Sequence, residues 1–151
     1  MRVYADTSVF GGVFDSEFAA PSNRFFAEVD AGRFSLVTSA IVSAEIEPAP
    51  QDVRDFFERH IALAEIVHVS DEAIELQQQY ISTGIVTSQA EQDALHVAVA
   101  SVSRCDLNVS WNFKHIVHFD KIGKFNAVNV LRGHGQIGIY SPLEVISYDG
   151  P

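Results

Sequence analysis

The run from Asp93 to Val102 constrains this chain most. Ala94, Leu95, Val97, Ala98, Val99, Ala100 and Val102 leave a helix there apolar nearly all round, and a helix that is hydrophobic on every side must be covered on every side. Just ahead of it, Ser88-Gln89-Ala90-Glu91 has the spacing of a capping box, in which hydroxyl and carboxylate each satisfy a free backbone N–H. With 151 residues, 47% of them hydrophobic, the chain is long enough for one core built around such a helix. Residues 1–151 are therefore read as a single domain.

Short elements alternate around it. Arg2-Val3-Tyr4-Ala5 reads as a strand ending at Asp6, and Gly11-Gly12 is expected to break regular structure after it. Ser22 is placed to cap a helix carrying Phe25, Phe26 and Val29 and closed by Gly32. Residues 34–37 form a strand, and Ser39 opens a helix with Ile41, Val42 and Glu45 that Pro48 and Pro50 stop. Residues 51–60 have a helical period and 64–69 alternate as a strand. Ser70 then starts a helix with Asp71 and Glu72 where the helix dipole favours acids. Residues 107–111 and 128–131 read as further strands, with room for a short helix between them. This alternation predicts an α/β fold with a central, mostly parallel sheet covered on both faces, a three-layer α/β/α sandwich.

Twenty Asp and Glu against ten Lys and Arg give a net charge of −10, which repels nucleic acid and anionic membrane at long range. A phosphate-bearing partner then needs a local basic patch or a bound cation. Residues 104–132 supply the patch: Arg104, Lys114, Lys121, Lys124 and Arg132 stand there against Asp106 and Asp120 alone. The one cysteine, Cys105, rules out an internal disulfide and a Cys-rich zinc site. No stretch approaches the ~18 apolar residues of a membrane span or has the pattern of a signal peptide, so the expected location is the cytoplasm, with no membrane partner. His115 and His118 have the spacing of a zinc pair, but no second pair completes four ligands. Gly133-His134-Gly135-Gln136-Ile137-Gly138 fits the dinucleotide fingerprint by letter, yet too little chain follows to complete a βαβ unit, so it reads as a glycine-rich turn.

In open parallel sheets ligands bind at the carboxyl ends of the strands, which singles out Asp6 and Asn112. Glu45 and Asp93 join them because each interrupts an apolar helix. A buried carboxylate costs several kcal/mol unless it is paired or binds a metal; one salt bridge to an Arg would explain either acid alone. Three acids with no basic neighbour call for a hard divalent cation, and oxygen ligands suit Mg²⁺ or Mn²⁺. His96, three residues after Asp93 on the same face, is either a group that orients Asp93 or a phosphate, or hydrogen-bonded structure. Trp111 is a candidate surface for stacking a base, or core.

Asp6-Thr7-Ser8, Ser43-Ala44-Glu45, Asp93-Ala94-Leu95-His96-Val97-Ala98 and Ser110-Trp111-Asn112-Phe113-Lys114-His115, in this order and spacing, resemble the four motifs of the PIN domain, and most of all its VapC-like ribonuclease toxins. Ser141-Pro142-Leu143-Glu144-Val145 resembles the family's last element. The resemblance implies a metal-dependent endoribonuclease in which Asp6, Glu45 and Asp93 bind Mg²⁺ or Mn²⁺ and, with Asn112, form the catalytic set. The ion would activate a water for attack on an RNA phosphodiester. Ser8, His96, Lys114 and His115 are then the groups that meet ligands or the substrate. The fourth motif departs from the family, with Asn112 and then His115 where acids are common, so a second ion should bind weakly. The resemblance also implies a homodimer and a basic antitoxin protein. Two other readings stay open: a PIN-like interaction module weakened in catalysis, and a phosphatase using Asp6 as nucleophile, which expects a second Asp where Ser8 stands.

Overall fold

The computed structural model describes residues 1–148. Five strands, β1 (Arg2–Ala5), β2 (Ser35–Ser39), β3 (Glu65–Val67), β4 (Leu107–Val109) and β5 (Gly138–Tyr140), form one sheet in the order β3-β2-β1-β4-β5, and every pairing is parallel. Val3, Tyr4 and Ala5 of the middle strand are all fully buried. Since successive side chains of a strand point to opposite faces, both faces of the sheet are covered. One group of helices comprises α1 (Thr7–Gly12), α2 (Ala19–Asp30), α3 (Ala40–Ile46) and α4 (Gln51–Ile61), with α8 (Pro142–Val145) against α2. The other comprises α5 (Asp71–Ser82), α6 (Glu91–Val102) and α7 (Phe119–Leu131). No helix among the described residues is long and apolar enough to cross a membrane.

The strand order decides where the site lies. From β1 the chain moves outward through β2 and β3, then returns to β4 on the opposite side of β1 and ends at β5. The gap between the carboxyl ends of β1 and β4 is the topological switch point, where an open parallel sheet forms a crevice. As expected, α6 is the buried helix, with Ala94, Val97, Ala98, Val99 and Ala100 in the core.

Four local expectations fail for physical reasons. Gly11 and Gly12 close a helix rather than break the chain, because Asp6 caps α1 by accepting the Ser8 N–H. Gly12 is needed for close approach: a Cβ there would stand 2.6 Å from Ser22 Oγ and 2.7 Å from Trp111 Nε1. Ser22 is no cap; α2 starts earlier, and the buried Ser22 hydroxyl accepts the Trp111 indole N–H at 2.8 Å. Ser88–Ala90 form a 3₁₀ turn without a side-chain cap, so the capping box before α6 is absent. Residues 128–131 are not a strand but the last turn of α7, whose Phe125, Val128 and Asn129 face inward at helical spacing while Val130 and Leu131 face out. The final strand β5 instead follows from the glycine-rich stretch, where Gly138 lies so close to β4 that a Cβ would stand 2.6 Å from Leu107. The capping box that does form joins Ser141 and Glu144 at α8.

Candidate active site at the end of the central strand

Asp6 follows β1 and is 3% exposed. Its Oδ1 accepts the Ser8 N–H at 3.1 Å and the Ser8 hydroxyl at 2.5 Å. The same hydroxyl accepts the Trp111 backbone N–H at 2.9 Å, so one serine clamps the loop after β4 to the acid after β1. Burial pushes the Asp6 carboxyl above its ordinary pKa, opposed by the His96 charge and by hydrogen bonds from Ser110 and Ser8.

His96 occupies the centre of the acidic groups. It is 2% exposed on α6, with Nε2 2.5 Å from Glu45 Oε1 and Nδ1 2.7 Å from the Tyr4 hydroxyl, which lies 2.8 Å from Ser39 Oγ. Burial alone would lower its pKa. The hydrogen bond to Glu45 and the charges of Asp6, Glu45 and Asp93 outweigh that and hold it above the ordinary histidine value. With the ring protonated, both nitrogens donate, one to Glu45 and one to Tyr4, and Tyr4 donates onward to Ser39. Ser39 precedes α3 yet makes no capping bond with its side chain; its hydroxyl is committed to Tyr4.

The acids differ in their surroundings from what their apolar neighbours suggest. Glu45, in the last turn of α3, keeps 34% of its side chain exposed, because the apolar residues around it in sequence occupy the other face of the helix. Asp93, in the first turn of α6, is half-buried. Among the described residues no Lys or Arg is paired with Asp6, Glu45 or Asp93. Asn112 Oδ1 accepts the His115 N–H at 2.9 Å, and the Asn112 carbonyl accepts from Val117 at 2.8 Å, closing the turn after β4. Asn112 and His115 are half-buried and Lys114 is exposed. Trp111 is core, not a platform for a base: it is 6% exposed, stacks on Phe18 with centroids 4.2 Å apart and spends its N–H on Ser22. Tyr4, Ser39 and Ser110 join the site without having been expected there.

No three His, Cys, Asp or Glu side chains are gathered into a ready ion cage among the described residues. The donor chemistry still fits a hard cation. A buried carboxylate and two further acids surround one imidazole, and Mg²⁺ usually keeps several waters and takes only one or two carboxylates directly. Two buried polar atoms lack a protein partner, Thr7 Oγ1 beside Asp6 and His115 Nδ1 in the turn that begins at Asn112, as suits a site that takes water or another polar occupant.

An all-parallel α/β sandwich with acids at its switch point is the class of protein these features define. No family model and no curated protein matches the chain by sequence. Solved structures match it by fold. VapBC2 from Rickettsia felis, bound to a promoter DNA fragment, has a TM-score of 0.60 at 14% identity over 93% of this chain and 98% of that one. The sarcin-ricin loop cleaving toxin VapC20 from Mycobacterium tuberculosis has a TM-score of 0.59 at 12% identity, over 75% and 92%. A toxin–antitoxin complex from Klebsiella pneumoniae has a TM-score of 0.55 at 16% identity, over 75% and 88%. The chain has the PIN-domain fold of the VapC toxins.

Proposed function

We propose that the protein is a cation-dependent endoribonuclease of the VapC-like toxin type, which hydrolyses RNA phosphodiester bonds. The observation that carries this reading is the buried Asp6 carboxylate at the switch point, which shares the His96 imidazole with Glu45 and Asp93, with no Lys or Arg among the described residues paired with any of the three. Asp6 and Asp93 would hold Mg²⁺ or Mn²⁺, with Glu45 reaching it through water. Bound there, the ion supplies a water activated for attack and relieves charge on the phosphodiester.

The rest is the work of the chain's own side chains. Ser8 fixes the Asp6 carboxylate and, through Trp111, the turn that carries Asn112. His96 fixes Glu45 and is itself held by Tyr4. Exposed Lys114 offers its ammonium to the RNA backbone at the rim, and Asn112 with His115 shapes that rim. The toxin fold and the acidic surface beyond residues 104–132 suit a basic antitoxin partner, a homodimer and a cytoplasmic setting. A second reading, an interaction module without catalysis, draws on the Glu45–His96 pair, which keeps one carboxylate engaged; calorimetry finding no Mg²⁺ or Mn²⁺ binding would favour it. The proposal is tested with Asp93→Asn, which is expected to lower cation-dependent RNA cleavage at least 100-fold while preserving the fold. An unchanged rate sinks the assignment.

A further inference from the structure

Resting on the RNA reading above, we propose that Phe113 is a stacking platform for one unpaired base of the RNA. Its ring is 45% exposed in the turn directly after β4, between Asn112 and the exposed Lys114. It is held rather than loose: its N–H donates to the Trp111 carbonyl at 2.9 Å, and its ring meets the buried Trp111 ring edge to face, with centroids 6.0 Å apart at 69°. Trp111 is in turn joined through Ser8 to Asp6, so the platform is fixed relative to the acid it would serve.

An aromatic ring half in water beside a lysine suits a nucleotide, with the ring taking the base and the ammonium the phosphate. Lys114, the next residue, is exposed in the same turn, so a ring for a base and a cation that attracts phosphate stand side by side in an otherwise acidic chain. Only an unpaired base can present its face to a protein ring, and stacking accepts any base. The subsite therefore selects single-stranded RNA without reading its sequence.

The test uses the full chain in chelator-containing buffer, with a single-stranded RNA oligonucleotide carrying 2-aminopurine and a duplex of the same sequence. The wild type should quench the 2-aminopurine on binding. Phe113→Ala and Phe113→Leu should each weaken single-strand binding about 10-fold and abolish the quench, as loss of one base–aromatic stack does, while Phe113→Trp restores both and duplex affinity stays the same. Unchanged single-strand affinity in Phe113→Ala overturns the proposal and leaves Phe113 as a contact for a protein partner. A Phe113→Leu variant that binds like the wild type also overturns it, since leucine keeps the bulk without the ring face. Wild-type protein that stacks the base but does not cleave the RNA when Mg²⁺ is supplied upholds the platform and removes the nuclease reading instead.

Discussion

Burying the Asp6 carboxylate raises its pKa, and the Ser8 and Ser110 hydrogen bonds with the His96 charge recover only part of that cost. Folding thus disfavours the ionised form. The cost is absent in acid, where the group is protonated in both states, and present in full above the folded pKa. Asp6→Asn keeps an acceptor for Ser8 and sheds the charge. It should melt a few degrees higher than the wild type at neutral pH in cation-free buffer, the usual yield of relieving a functional site, and should lose RNA cleavage; scanning calorimetry that finds a lower melting temperature contradicts this. The acids were legible in the sequence because a carboxylate among apolar residues is conspicuous. Their surroundings were not. Tyr4 reads as an ordinary aromatic in a buried strand and Ser39 as a cap, since the bond that unites them with His96 spans residues far apart in the chain. The exposure of Glu45 was hidden because its neighbours in sequence lie on a different face of α3.

Helix starts and stops divide into those set locally and those set by packing. Ser70 caps α5 as its sequence suggests, accepting the Ala73 N–H at 3.1 Å, and Pro48 and Pro50 follow the end of α3. At Ser22 and the final turn of α7 tertiary contacts override the local pattern: Trp111 takes the serine, and Phe125 with Val128 draws the last turn into the core. A similar long-range tie joins α2 to the end of α8. Glu28 Oε1 is 2.5 Å from Arg33 Nη1, the Ser147 N–H donates to Glu28 at 3.0 Å, and Arg33 also donates to the Val145 carbonyl at 2.9 Å. Burial works against the Glu28 charge, but the Ser147 N–H and Arg33 outweigh it and hold the carboxyl below its ordinary value. That stability is full above the ordinary carboxylate range and is lost as pH falls through the folded pKa. Glu28→Gln should cost about 1 kcal/mol at pH 7, and its urea-unfolding curve should converge on that of the wild type toward pH 3. A constant gap across that range would show that shape, not charge, is what Glu28 contributes.

At the scale of the molecule, strand and helix alternation specified the α/β class, while the order β3-β2-β1-β4-β5 had to come from the packed structure. That order brings together residues 6, 45, 93 and 112, which lie on separate elements of the chain, and places Asp6 and the β4 turn across one switch point. The net charge of −10 is unevenly placed: Asp6, Glu45 and Asp93 gather around His96 beyond the end of the central strand, with the exposed Lys114 in the turn after β4. The most direct test of this account is the rate at which the wild-type chain cleaves single-stranded RNA as Mg²⁺ is raised from a chelated baseline. A rate that is negligible under chelation and rises to saturation with Mg²⁺ is the predicted result. Cleavage that is insensitive to the ion, or absent at every concentration, contradicts it.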